Sequence, residues 1–478
     1  MKFRMIALLA AFLAASAQSA PLHGQAVKPR AKQSPPSGKS TPPGAEPAAP
    51  AVGGPPTFRS FTTKNGLRTT LIHVGTARRA IVSLELQTGE VDEPSFGPGL
   101  AALTADMLLQ GSVSRSARQI ATESAALGTK IDVRSGPMTT SISGDVESAN
   151  LPHLLSLVAD LVRHPLLDTA SFGRARRHAL LALDTTLHNP AELAKQQWRA
   201  IIFPNGPFGH PFAAAATLGL LQLGHVRNVY DDNYAASRAH LYVSGVFDDD
   251  AIEKEVREIY SDWTVGLPAK PRSVHPVTVH ELVTLDQPGA ERSVIWIGLP
   301  VIDPADKEFA KLEVADMLLA GDDSSRLSGD IADLEHTPPH SISTIWKRRS
   351  GTYWVAELNV RTANTGAAIE ALLTEIAELK REAPQERWVT RARNRLIADF
   401  DARNNSRDGL VQLMEFMDEH SLGDGWRTSY VKNIKDVTRE DVRTAVAAYL
   451  DPRKMAISIV GDRAAIEPQL AKLRPILP

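Results

Sequence analysis

Apolar and polar positions alternate at Val82, Leu84 and Leu86 against Ser83, Glu85 and Gln87. That period of two predicts a half-buried strand. The period then changes. From about Gly99, Leu100, Leu103, Met107 and Leu108 fall on one stripe and predict a helix. Upstream, Asn65-Gly66 between two β-like runs predicts a hairpin. Downstream, the polar alternating segment Thr129 to Asp145 predicts two more strands. Asn150 is placed to cap a helix whose Leu151, Leu154, Leu155, Val158 and Val162 face a core. A long helix over Thr169 to Leu187, a short one over Val226 to Tyr234 and a strand over Leu241 to Val246 complete the unit.

The second half repeats this order. A strand is predicted over Val294 to Leu299 and a helix over Phe309 to Ala320. Two long helices follow over Thr365 to Lys380 and Glu386 to Asn404, then a short one over Val437 to Leu450 and a strand over Met455 to Val460. Ala105-Asp106-Met107-Leu108-Leu109 recurs letter for letter at Ala315 to Leu319. Ala105 and Ala315 are 210 residues apart, Tyr234 and Tyr449 215, and Gly245 and Gly461 216. A nearly constant offset at three places predicts an internal duplication of α+β domains, with its boundary near Gly266 to Arg272.

The ends and the composition add context. Lys2 and Arg4 precede the apolar run Met5 to Ala15 and then small residues, the layout of a secretory signal. Eleven apolar residues are too few to cross a hydrocarbon core of ~30 Å. Cleavage is expected after residue 17, with residue 20 as the later choice. Residues 18–56 are rich in Pro, Ala, Gly and Ser and predict a disordered tether. The folded domains are then 57–268 and 269–478. With no cysteine, disulfides, a thiol nucleophile and thiolate metal sites are excluded. A net charge of -2 gives no reason to expect nucleic acid, and no second apolar run reaches membrane-spanning length.

The duplicated layout, GLAALTADMLLQGS (Gly99 to Ser112), PNGPFGHPFAAAATLGLL (Pro204 to Leu221) and HLYVSGVFD (His240 to Asp248) resemble the insulinase/pitrilysin family of metallopeptidases. RSVIWIGLP (Arg292 to Pro300), LLAGDDSSRL (Leu318 to Leu327) and AISIVGD (Ala456 to Asp462) extend the resemblance to roughly Phe58 to Asp462. It implies two duplicated α/β-sandwich domains of the processing-peptidase type, forming half a clamshell. Active members carry His-x-x-Glu-His on the first half's helix, where two histidines bind zinc and the glutamate activates water. Aligned here, Ala102 stands at the first His, Ala105 at the general base and Asp106 at the second His. The downstream glutamate ligand falls near Ala182, with Asp184 an alternative only after a register shift. Members also use an Arg and a Tyr from the second half, and these positions fall at Ala332 and His340. Substrate adds as a strand to the first sheet's edge in this family, which corresponds to Lys130, Ile131, Asp132, Val133 and Arg134. An ordinary edge strand guarded by its charges explains the same residues.

Other chemistry reads weakly. His336 and His340 have zinc-like spacing, but Pro338 and Pro339 between them oppose a helix. His178 and His188 fit solvent or core-edge positions, and Arg174, Arg176 and Arg177 a solvated helix face. Ser324-Ser325 lacks the Gly-x-Ser-x-Gly elbow. Asp248-Asp249-Asp250 suits a helix N-cap and first turn. The expected protein is a periplasmic, non-catalytic companion of a zinc-bearing homologue, with no cofactor of its own, acting on peptides. The alternatives are a zinc peptidase with a rebuilt site and an autonomous peptide-binding or scaffold protein.

Overall fold

The computed structural model describes residues 55–94, 97–205, 207–209, 215–270, 274–338, 342–348 and 351–473. The signal and almost all of the tether therefore lie outside the described residues. In the first half, strands β1 (Thr57–Thr62), β2 (Arg68–His73), β3 (Arg79–Leu86), β4 (Asp132–Ser135), β5 (Thr140–Glu147) and β6 (Ala239–Gly245) form one sheet. Its order is β1-β2-β6-β3-β5-β4. In the second half, β7 (Glu281–Asp286), β8 (Arg292–Pro300), β9 (Ser343–Trp346), β10 (Tyr353–Arg361) and β11 (Ala456–Gly461) form a second sheet in the order β7-β11-β8-β10-β9.

The two orders superimpose once β1 is set aside. In each sheet one pair is parallel, β2 with β6 and β7 with β11, and the remaining pairs are antiparallel. The duplication inferred from three residue pairs is thus a duplication of topology. The extra strand β1 joins β2 through the predicted hairpin. Gly66 takes φ 93 there, a region that favours glycine, and the Asn65 amide donates to the carbonyls of Tyr260 and Trp263 at 2.7 and 3.0 Å.

Each sheet carries a layer of helices on one face. The first core packs Leu103 and Met107 of the helix Leu100–Leu108 with Leu154 and Val158 of the helix Leu151–Arg163. The second packs Leu312 and Leu318 of the helix Phe309–Leu319 with Leu372 and Ile376 of the helix Thr365–Arg381. The long helices Thr169–Leu187 and Glu386–Asn404 have the boundaries the sequence predicts. Asn150 stands at a helix start, but with φ -95 and ψ 0 it continues a 3-10 turn, and its side chain makes no cap bond. Asp248 does cap its helix, Asp249–Ile259, accepting from the Ala251 N–H at 2.8 Å. Asp248→Ala is expected to cost about 1 kcal/mol, read as a shift of the urea midpoint without a change of slope.

One feature of the packing has no counterpart in the linear pattern. The helix Pro190–Ile202, from the first half, lies on β8 and β11 of the second sheet. The helix Arg407–Glu419, from the second half, lies on β3 and β6 of the first. Each follows its half's long helix, so the exchange obeys the duplication. Trp198 is the anchor of the first crossing. It is fully buried, its indole N–H donates to the Ala456 carbonyl at 2.9 Å, and its ring lies 5.0 Å from that of Tyr353. Gly298 on β8 makes room: a Cβ there would sit 3.1 Å from the Trp198 ring and 2.2 Å from the Trp354 carbonyl oxygen. Among the described residues, no helix is long and apolar enough to cross a membrane.

Candidate functional site

The helix Leu100–Leu108 begins at Gly99, which takes φ 88. The Glu93 carboxylate covers its N-terminus, accepting from the Gly99 and Ala101 N–H groups at 3.2 and 2.7 Å. Burial nevertheless pushes Glu93 up to about 7. Ala102 faces solvent, while Ala105 is buried. Asp106 is half-buried, and burial raises its pKa against the opposing influence of His178. Its carboxylate lies 3.8 Å from His178 Nδ1 on the long helix. Ala182, one turn further along, is exposed. Asp184 pairs instead with His188 on its own helix, at 3.7 Å.

The structure therefore brings Asp106 and His178 together and adds no third ligand. A methyl group has no lone pair, so Ala102 and Ala105 supply nothing. Among the described residues, no group of three His, Asp or Glu side chains could hold a metal ion. Zinc needs at least three protein ligands even in an open catalytic site. The residues present do not fit the zinc that the family resemblance implies for an active member.

The second half's positions do not compensate. Ala332 is buried on the helix Arg326–Glu335, and His340 lies outside the described residues. That helix stops before both His336 and His340, with His336 at φ 56, as the prolines predict. Ser324 and Ser325 spend their hydroxyls on Asp322 and Ser328. His178 and His188 are exposed as expected. Arg174 is not a purely solvated residue: its guanidinium donates to Gln110 and Ser171.

The edge-strand expectation needs one correction. β4 is the last strand of its sheet and pairs with β5, but it runs Asp132–Ser135, so Lys130 and Ile131 precede it. Ile131 is buried in the first core. Val133 packs against the first core, while Arg134 is exposed and pairs with Asp132.

A second cluster escaped the sequence reading. It lies where the crossing helix Arg407–Glu419 meets the first sheet, around a cavity of about 120 Å³ lined in part by Arg68, Glu85, His240, Tyr242, Asp418 and Glu419. Asp418 accepts from the Tyr242 hydroxyl at 2.7 Å and lies 2.6 Å from His240 Nδ1 and 3.6 Å from the Arg68 guanidinium. Glu415 accepts from the Ser83 hydroxyl at 2.8 Å. Arg407 reaches Asp145 at 3.1 Å. Burial, then the nearby charges of Glu415, Glu419 and Asp418, push Glu85 up to about 8. Burial likewise pushes Glu415 up to about 7. Burial also works against Asp418, but the bonds from His240 and Tyr242 prevail and hold it below its ordinary range. Glu85 looks like the solvent side of an alternating strand, and Glu415, Asp418 and Glu419 like a wet helix face. Only docking one on the other makes them neighbours.

The family profile described as Insulinase (Peptidase family M16) matches residues 68–215, and that described as Peptidase M16 inactive domain matches residues 221–396. An uncharacterized zinc protease of Rickettsia felis is 24% identical over 219 residues, 45% of this chain and 53% of that protein. The uncharacterized zinc protease YmxG of Bacillus subtilis is 20% identical over 277 residues, 58% of this chain and 67% of that protein. The match spans about half the length of the Rickettsia relatives. The crystal structure of a peptidase M16 inactive domain from Pseudomonas fluorescens is similar with a TM-score of 0.76 at 18% identity, covering 85% of this chain and 98% of that one. A protease from Helicobacter pylori gives 0.76 at 15%, covering 85% and 99%. These structural likenesses establish the fold, and with two adjoining profiles of one family accounting for residues 68–215 and 221–396, the chain belongs to the insulinase/pitrilysin (M16) family.

Proposed function

We propose that this chain is a non-catalytic insulinase-family subunit, exported to the periplasm, which helps a zinc-bearing homologue enclose and process peptides. The reading is carried by one observation. The helix Leu100–Leu108 carries Ala102, Ala105 and Asp106 at the positions that the family alignment gives to two ligands and a base, and among the described residues Asp106 gains one imidazole neighbour, His178, and belongs to no group able to hold a metal ion. The intact fold around that helix supports retention of a role other than chemistry. The place of β4 at the end of its sheet among the described residues supports a peptide-holding role, because strand addition relies on main-chain bonds and tolerates side-chain drift. Export rests on Lys2, Arg4 and the apolar run Met5 to Ala15.

The purified mature chain is expected to retain no stoichiometric zinc after dialysis and to leave unstructured peptides intact. Cleavage should appear on adding a homologue with an unbroken His-x-x-Glu-His motif, and an affinity pull-down from the periplasm should recover such a homologue. Chelator-sensitive cleavage by the pure chain, with one equivalent of zinc bound, would refute the reading and favour a metal site rebuilt around Asp106 and His178. Recovery of this chain alone would favour an autonomous peptide-binding or scaffold role.

A further inference from the structure

The second half holds a cavity of about 230 Å³ between the helices Glu386–Asn404, Arg407–Glu419 and Asp424–Asp436. Its walls are aromatic. Phe400 lies 4.5 Å from Tyr430, Tyr430 5.1 Å from Trp426, and Trp426 5.4 Å from Phe416, ring centre to ring centre. Glu313, on the helix that repeats the degenerate metal helix of the first half, also reaches it. So the molecule has a lined cavity beside the second copy of that helix.

The charges around the cavity decide what it suits. Lys347 is committed: it pairs with Glu313 and lies over the Phe416 ring at 5.8 Å. Arg403 is exposed at the rim and gives its Nε–H to the Asp399 carbonyl at 3.4 Å. Among the described residues, its two terminal nitrogens have no carboxylate partner. Glu313 and Lys347 cancel, and the Asp399 carboxylate pairs with Arg395 at 3.0 Å, which leaves Arg403 as one uncompensated positive charge. Aromatic walls alone would attract a cation. Here Lys347 already lies over the Phe416 ring, and a further cation would meet the uncompensated charge of Arg403. An anion is favoured, and a guanidinium with free terminal nitrogens suits a planar carboxylate. The volume lies below the ~300–1,000 Å³ of sites for drug-sized ligands, so one side chain with its carboxylate is the appropriate load. A free amino acid would bring an ammonium group against the same guanidinium, whereas a peptide's last residue carries only the carboxylate.

We propose that this cavity binds the C-terminal residue of a peptide, with its carboxylate on Arg403 and its apolar side chain among Phe400, Phe416, Trp426 and Tyr430. The site is separate from the degenerate metal helix and does not depend on the function proposed above.

The test uses the full mature chain and tryptophan fluorescence, with calorimetry in parallel. The probes are N-acetyl-Ala-Ala-Phe, its C-terminal amide, and 3-phenylpropionate. The tripeptide acid is expected to bind at least about tenfold more tightly than the amide, the size of one charge-assisted hydrogen-bonded pair. It should also bind better than 3-phenylpropionate, which has the same ring and carboxylate without a chain. Arg403→Gln, an exposed change that should leave the circular dichroism unaltered, should abolish the preference for acid over amide. Trp426→Phe should keep the affinity but remove most of the fluorescence response, which locates the ligand. Equal binding of acid and amide, a preference that survives in R403Q, or no binding by a folded chain at millimolar peptide would overturn the proposal. An undiminished response in W426F would overturn the location, and equal affinity for 3-phenylpropionate would overturn a peptide in favour of a small carboxylate.

Discussion

Replacing Trp198 with alanine is expected to lower the unfolding free energy by about 3–5 kcal/mol, the range for large aromatic side chains removed from a core. Two losses combine. The fully buried ring leaves a cavity between the helix Pro190–Ile202 and β8, next to Trp296 and Tyr353. Neighbours cannot collapse into it easily, because the strands on that side are fixed by β10 and β11. The Ala456 carbonyl also loses the indole N–H that reaches it at 2.9 Å. Trp198→Phe keeps a ring and drops that bond, so it should fall between wild type and alanine. Urea unfolding monitored by circular dichroism measures both. There is a structural consequence as well. The ring ties a first-half helix to the second sheet, so W198A should uncouple the halves and turn one transition into two. A loss below about 1 kcal/mol, with unfolding still in one step, would show that the crossing is not what couples them.

The second large effect concerns pH. Glu85 and Glu415 meet across the other crossing and are pushed up to about 8 and about 7. A carboxyl with a higher pKa in the folded chain holds a proton that the unfolded chain releases. Its contribution is full below the ordinary glutamate value of 4.5 and is lost as pH rises through 7 and then 8. Glu93, pushed up to about 7, acts in the same direction. His240 acts oppositely: burial lowers its pKa from 6.5, so it adds stability only as pH rises towards that value. Asp418 is held low and stays charged throughout. The other charges at the interface include Glu419, Asp408 and Arg407 on the same helix, Arg407 being paired with Asp145, together with Arg68 on β2 and Asp92 and Lys270 at the cavity, and the Thr139 hydroxyl bonds Glu85.

Above about pH 6.5 the carboxyls therefore act alone, and stability should fall. The slope is at most about 1.4 kcal/mol per pH unit for each carboxyl still holding its proton, reduced by solvent where the group is only half-buried. Urea midpoints between about pH 6.5 and 8.5 would show the fall. Glu85→Gln, which keeps the shape of the protonated acid, should flatten the profile above pH 7, and Glu415→Gln should flatten its lower part. Parallel profiles for both variants and wild type would mean that the interface does not carry the proton.

Much of the fold was legible in the chain because its signals are local. The long helices Thr169–Leu187 and Glu386–Asn404 come from sustained period and polar boundaries. The alternation at Val82 to Leu86 gives β3, and Asn65-Gly66 gives the β1–β2 turn. The failures are of another kind. Asn150 has the right side chain for a cap, but the preceding 3-10 turn puts its backbone in the wrong region. The edge strand starts two residues late because Ile131 is drawn into the core.

For the candidate site, identity alone told most of the story. Alanine at 102 and 105 supplies no ligand in any conformation, so the degenerate metal helix is a property of the sequence. The Asp106–His178 pair is not, since 72 residues separate two groups that the first core brings within 3.8 Å. The duplication, too, was set by the chain: a nearly constant residue offset survives folding as a shared strand order. Which sheet each amphipathic helix would cover was decided by tertiary structure. An apolar stripe specifies that a face must be buried, but not against what. Trp198 on β8 and β11, Glu415 beside Glu85, and the four rings around the cavity near Arg403 all follow from that choice of partner, because each joins residues whose local patterns are satisfied by any apolar surface of the right shape.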